Sequence, residues 1–131
     1  AMASLYGPVD KVVGIEARGF IVAAPVAIRL GAGFVPLRKA GKLPWEIERQ
    51  DYELEYSSDA LEVHRDGLEP GESVLVVDDV LATGGTAEAA VRLVERLGAK
   101  ATGFACIVEL LFLGGRRKLE GLEMVSLVGY E

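Results

Sequence analysis

The sequence has 131 residues, half of them apolar, which suits one domain with a sizeable core. With 14 basic against 20 acidic residues the net charge is −6, which excludes a general nucleic-acid-binding surface. The single cysteine, Cys106, excludes an internal disulfide and reads as a core thiol, and the longest apolar run, residues 20–28, is too short to span a membrane. No secretory signal is visible, so a cytoplasmic protein with no membrane association is expected.

Residues 1–4 read as a remnant outside the fold, and residues 1–8 as that remnant or a shortened N-terminus, within a single core domain spanning 1–131. Residues 9–15 read as a first buried strand, with Val12, Val13 and Ile15 in the core. It runs into the small-residue turn Glu16-Ala17-Arg18-Gly19. A helix is expected to follow over residues 20–30, with Phe20, Ile21, Ala24, Ala27 and Ile28 on its buried side. Pro25 must then lie near its first turn or kink it, and Gly31 stops it. Residues 33–37 form a second strand, which delivers Arg38, Lys39 and Lys42 into a loop with Gly41 and Pro44. Such a loop is either a solvated basic surface or a cationic clamp for a diphosphate. In an acidic chain, just past a strand end, the clamp is favoured, because Arg offers bidentate oxyanion contacts and Lys a mobile charge.

From residue 45 to 62 the chain turns acidic and loses its helical period. Tyr52, Leu54 and Tyr56 alternate with Glu53 and Glu55, and Leu61 and Val63 alternate with Glu62 and His64. Two strands are predicted, with Ser57-Ser58-Asp59 as the hairpin turn, forming a flap on an irregular hinge at residues 45–51. Taken alone, Glu55 is an exposed strand carboxylate. His64, the only histidine, falls outside every motif and is assigned no catalysis. Residues 66–71 are a turn-rich connector.

The apolar, largely β-branched run at residues 74–77 reads as a strand ending in Asp78-Asp79. After Thr86, Ala87, Ala90, Val91, Val94 and Leu97 recur at helical spacing, and Glu88 with Arg92 makes an exposed i,i+4 pair. The segment Ala82-Thr83-Gly84-Gly85-Thr86 therefore joins a strand to the start of a helix, where ligands sit in open α/β sheets. Glycines at a helix start let backbone N–H groups approach one anion, and the helix dipole favours its charge. Two carboxylates beside such a cradle would repel a phosphate, so they suit neighbouring ribose hydroxyls or a metal on the same ligand. The plain alternative is an ordinary junction with Asp79 and Thr83 as turn and cap residues. Residues 101–111 read as a further strand with Phe104, Cys106, Ile107 and Val108 buried, residues 114–119 as a short basic turn or helix, and residues 124–130 as a last strand beside an edge.

The stretch D-D-V-L-A-T-G-G-T resembles the phosphoribosyl diphosphate binding motif of the type I phosphoribosyltransferases, and more narrowly of the adenine phosphoribosyltransferases. G-I-E-A-R-G-F and V-P-L-R-K-A-G-K-L-P resemble that family's diphosphate loop and the basic segment after it. The resemblance covers most of the chain. It implies an α/β fold with a central, mainly parallel twisted sheet flanked by helices and a β-hairpin flap. It implies that Asp78 and Asp79 contact the ribose hydroxyls, that Ala82, Thr83, Gly84, Gly85 and Thr86 hold the 5-phosphate, and that Arg18, Gly19, Arg38, Lys39 and Lys42 surround the diphosphate. By the same resemblance Glu55 lies near the leaving nitrogen of the base, Tyr56 covers the reaction centre, and the Glu16–Ala17 peptide is cis. Mg²⁺ is implied, held largely by substrate oxygens, with Asp78 and Asp79 assisting through water and no full protein cage. The implied reaction joins adenine to phosphoribose, giving AMP and pyrophosphate, in a homodimer. Family members carry a longer N-terminal segment that forms a hood over the purine, and this chain is expected to lack it. Two other readings follow from that expectation: an enzyme with relaxed purine choice, or a non-catalytic phosphoribosyl diphosphate binding module.

Overall fold

In the computed structural model of the chain the described residues are 8–43, 46–53 and 58–131, excluding the side chains of Glu53 and Ser58. The elements in chain order are β1 (Lys11–Ile15), α1 (Arg18–Leu30), β2 (Gly33–Lys39), β3 (Ile47–Glu53), β4 (Ser58–His64), β5 (Ser73–Leu81), α2 (Gly85–Arg96), β6 (Lys100–Leu110) and β7 (Glu123–Tyr130). Two short 3₁₀ turns, Leu111–Leu113 and Gly115–Leu119, separate β6 from β7.

The strands form one seven-stranded sheet in the order β3-β4-β2-β1-β5-β6-β7. β1 lies parallel to both β2 and β5, and β5, β6 and β7 continue in parallel, so β7 is an edge strand. Chain direction in the sheet reverses its progress at β1: the chain first goes to β2, then returns to β5 on the other side. That switch point, between the carboxyl ends of β1 and β5, is where a crevice opens in such sheets.

Alternation along the strands divides the core into two layers. Val12, Leu75, Val77 and Ala105 face α1 through Ala23, Val26 and Ala27. Val13, Val74, Val76, Phe104 and Cys106 face the opposite side with Ala87, Ala90, Leu93 and Val94 of α2. Close approach of α1 requires Gly14, since a Cβ there would lie 2.7 Å from Ala23 Cβ.

Several expectations are corrected. Helix α1 begins at Arg18, not Phe20, and Ile21 and Ile28 are 76% and 82% exposed. The buried stripe is instead Gly19, Ala23, Val26 and Ala27, because only small residues fit where the helix lies flat on the sheet. Phe20 meets Phe34 edge-on, with ring centroids 5.9 Å apart. Pro25 lies inside the helix beyond its first turn, on the solvent side, where the carbonyl of Ile21 that it cannot serve can meet water. The strand expected from Tyr52 starts earlier, so residues 47–51 are not an irregular hinge: β3 runs antiparallel to β4 from Ile47↔His64 to Glu53↔Ser58. Ser58 and Asp59 belong to β4, and the rest of the expected hairpin, Leu54 to Ser57, lies outside the described residues. The hairpin is hydrogen-bonded to β2 at Arg38↔Glu62 and Lys39↔Leu61, so it extends the main sheet. Ile107 is 37% exposed, because α1 covers its face of β6 no further than Ala105, and Val108 is only partly buried. Asp78 and Asp79 lie within β5, which continues to Leu81, because β6 pairs with it through Val80↔Val108 and Leu81↔Glu109.

Candidate active site

The site is assembled from three connections at the carboxyl ends of the central strands. Pairing of β1 with β5 ends at Gly14↔Val77. From Asp78 onward one edge of β5 is thus free of a neighbouring strand, and the two carboxylates stand at the mouth of the crevice. Asp78 is partly buried, and its Oδ1 accepts the N–H of Asp79 at 2.8 Å. Burial, followed by the neighbouring Asp79 carboxylate, pushes the Asp78 carboxyl up to about 8, against the pull of Arg18.

The β1–α1 connection forms one wall. Its Glu16–Ala17 peptide is cis, as the resemblance implied. Gly19 allows the first turn of α1 to lie against β5: a Cβ there would come within 3.0 Å of Asp78 Oδ1 and 3.3 Å of Val77 O. Arg18 Nε lies 3.0 Å from Asp79 Oδ2, with the Arg18 side chain 81% exposed.

The basic segment after β2 is organised by Glu16, which the sequence reading did not single out. Its carboxylate accepts Arg38 Nε at 3.2 Å and the Lys39 N–H at 2.8 Å, and it also pairs with Lys42 Nζ. Burial opposes its ionisation most, but the Lys42, Lys39 and Arg38 hydrogen bonds together hold the carboxyl below its ordinary value. The Lys39 ammonium points elsewhere, to Asp59 Oδ2 at 2.7 Å and Tyr52 OH at 3.1 Å on the hairpin. The Asp59 hydrogen bond is the main reason that its pKa is raised. Arg38 and Lys42 therefore gather on the β1–α1 turn, while Lys39 braces the hairpin.

The third connection is Ala82–Gly84, leading into α2. Gly84 occupies the N-cap with φ 89°, a left-handed conformation that suits glycine, and no side chain caps the helix. The N–H groups of the first turn are thereby left for an anion. A cavity of about 80 Å³ is lined here by Asp78, Ala82, Thr83, Gly84, Gly85 and Thr86, so Asp78 and the cradle share one space. Glu88 and Arg92 pair at 3.5 Å on α2, as predicted.

Glu55 and Tyr56 lie outside the described residues. Among the described residues no cluster of three or more His, Cys, Asp or Glu could cage a metal. The Asp78–Asp79 pair suits a divalent ion only where a ligand supplies most of the oxygens. Cys106 is buried, and burial raises its thiol to about 12, which keeps it out of nucleophilic chemistry. His64 is also set apart, at the far end of β4 from the β3–β4 connection.

Glu109, a buried carboxylate, was also missed, although a lone acid inside the apolar run of β6 is a visible signal that a partner must exist. Its partners are Arg116 and Ser126.

Comparison with known proteins agrees with this geometry. The phosphoribosyl transferase domain model matches residues 4–125. The adenine phosphoribosyltransferase of Symbiobacterium thermophilum is 55% identical over 131 residues, covering 98% of this chain and 77% of that protein. The adenine phosphoribosyltransferase structure from Thermoanaerobacter pseudethanolicus superposes with a TM-score of 0.92 at 50% identity, covering 96% of this chain and 74% of that one. The Saccharomyces cerevisiae enzyme, complexed with an imino-altritol bisphosphate and adenine, superposes with a TM-score of 0.89 at 45% identity, over 95% of this chain and 70% of that one. With a matching domain model, a high identity over nearly the whole chain and the same fold, the chain belongs to the adenine phosphoribosyltransferases of the phosphoribosyl transferase domain family.

Proposed function

We propose that the chain transfers the phosphoribosyl group of 5-phosphoribosyl 1-diphosphate to adenine, giving AMP and pyrophosphate. The single observation that carries this reading is the shared space of Asp78 and the uncapped Ala82–Thr86 cradle at the β1–β5 switch point. In the reaction the bond from ribose C1 to the diphosphate oxygen breaks, a bond from C1 to the adenine nitrogen forms, and that nitrogen gives up its proton.

The residues take roles that follow from their chemistry. Asp78 and Asp79 accept hydrogen bonds from the ribose hydroxyls, and Ala82, Thr83, Gly84, Gly85 and Thr86 hold the 5-phosphate. Arg18 and Gly19, with Arg38 and Lys42 gathered on Glu16, receive the departing diphosphate; Lys39 joins them from the hairpin side. Glu55 and Tyr56 close over the reacting carbon, with Glu55 taking up proton character from the base. Asp78 and Asp79 would assist in holding Mg²⁺ through water, with diphosphate oxygens supplying most of its ligands, and the ion would neutralise charge on the leaving group.

No helix among the described residues is long and apolar enough to cross a membrane, and a cytoplasmic location is proposed with it. A homodimer is proposed because Ile21 and Ile28, at 76% and 82% exposure, leave an apolar stripe on α1. The test of function is pyrophosphate release with adenine, guanine or hypoxanthine as acceptor. Release with adenine alone supports the reading, comparable release with all three shows relaxed purine choice, and none with any purine reduces the chain to a binding module.

A further inference from the structure

The proposed chemistry leaves unused the buried carboxylate Glu109 with its partners, the half-exposed Arg116 and the partly buried Ser126. Glu109 is 2% exposed and lies in β6 opposite Leu81, the last residue of β5 before the phosphate loop. Its Oε2 accepts Arg116 Nε at 2.8 Å, and its Oε1 accepts Arg116 Nη2 at 2.6 Å and Ser126 Oγ at 3.0 Å. A bidentate pair of this kind fixes the orientation of the guanidinium as well as its charge. The hydrogen bonds from Arg116 outweigh burial and hold the Glu109 carboxyl below its ordinary value.

Arg116 is carried by the Gly115–Leu119 turn, whose other end, Leu119, is 2% exposed in the core cluster with Leu81 and Ala87. The turn is therefore pinned at both ends. Gly115, between them and the loop, touches the loop backbone directly. A Cβ on Gly115 would lie 2.3 Å from Ala82 O and 2.9 Å from Gly84 N, and a Cβ on Gly84 would lie 2.5 Å from Gly115 O. No side chain intervenes to absorb a displacement of the turn.

We propose that the Glu109–Arg116 pair, with Ser126, is a positioning clamp that presses Gly115 onto Ala82–Gly84 and so aims the N–H groups of the 5-phosphate loop. The inference rests on the assignment of that loop to the 5-phosphate. Neither Glu109 nor Arg116 contacts substrate, and their effect passes through backbone packing alone.

Steady-state kinetics and amide NMR test it together. Arg116→Ala and Glu109→Gln are expected to raise KM for the diphosphate substrate about tenfold, with KM for adenine unchanged within about twofold. Arg116→Lys, which keeps charge without the fork, recovers part of the loss. Arg117→Ala, on the same turn, changes neither constant. With no substrate added, the Gly84, Gly85 and Thr86 amide resonances shift in Arg116→Ala. Should the two stronger variants not fold, Arg116→Lys and Ser126→Ala carry the test, with about a threefold rise in the same KM and the same resonances displaced. Folded variants with unmoved loop resonances, or with both KM values raised alike, overturn the clamp. A wild-type protein whose Gly84, Gly85 and Thr86 resonances ignore added AMP overturns the phosphate assignment instead, since the substrate-free shifts report on the clamp without it.

Discussion

Arg18 Nε lies 3.0 Å from Asp79 Oδ2, so the first residue of α1 and the second carboxylate of β5 close one wall of the crevice by an ion pair. With Arg18 81% exposed, such a pair contributes little to stability, about 0–1 kcal/mol. Arg18 can therefore exchange Asp79 for a diphosphate oxyanion at low cost. Arg18→Ala is expected to change unfolding free energy by under about 1 kcal/mol while lowering kcat/KM for the diphosphate substrate roughly 10²–10³-fold. Chemical denaturation and initial rates measure the two effects, and an unaltered kcat/KM would remove Arg18 from the diphosphate site.

Asp78 makes a pH prediction. Its folded carboxyl is raised to about 8, whereas the unfolded chain ionises near about 4. Between those values the unfolded state loses its proton first. Stability contributed by this residue is therefore full at low pH and falls as pH rises from about 4 to about 8. Asp78→Asn cannot ionise and should escape the fall. In metal-free buffer the two proteins should be of similar stability at about pH 3.5, and the variant should be more stable by on the order of 2–4 kcal/mol near pH 8.5. Melting curves across that interval that stay parallel for the two proteins would show Asp78 to be ordinarily ionised.

Glu16 should behave with the opposite sign. Its folded carboxyl is lowered, so its contribution is present above the ordinary carboxylate range and is lost as pH falls through the lowered value. Arg38 and Lys42 are partly exposed, which discounts the Coulombic share. Glu16→Gln should cost about 1–2 kcal/mol at pH 7 and nothing further on acidification, so its profile below pH 4.5 is flatter than wild type. Equal acid sensitivity in urea denaturation at pH 3.5 and 7 would place the acid-labile groups elsewhere.

These cases show what a single sequence carries and what it does not. β1, β5 and α2 announce themselves because apolar periodicity reports burial, and Val74 to Val77 are indeed fully buried. Strand β3 has such a signal only from Tyr52 on. In residues 47–51 the charges of Glu48, Arg49 and Asp51 interrupt any pattern, and the ladder with β4 defines the strand there. The length of β5 past Asp78 is likewise set by β6, a partner that local propensity does not see. On α1 the alternation of large apolar residues misleads, since the sheet selects Ala23 and Ala27 for their size and leaves Ile21 and Ile28 outside. At the site, residue types within one loop were legible, but pairs such as Glu16 with Arg38 join segments 22 residues apart and emerge only from the fold.

The hairpin gives the last prediction. Tyr52 is buried in the core and Lys39 binds both its hydroxyl and Asp59, so the base of the hairpin is fixed to β2 through both of its strands. We propose that Glu55, in the stretch that follows β3, acts beside the leaving nitrogen of the base. General acid–base assistance from such a position is worth roughly 10²–10⁴-fold. Glu55→Gln should therefore lower kcat by about that factor and leave the calorimetric affinity for 5-phosphoribosyl 1-diphosphate within about threefold, because the groups proposed to hold that substrate lie on other elements. Lys39→Met should act differently. Releasing the hairpin base from Asp59 should weaken affinity and turnover together. If Glu55→Gln retains full turnover, the base receives no help from the carboxylate.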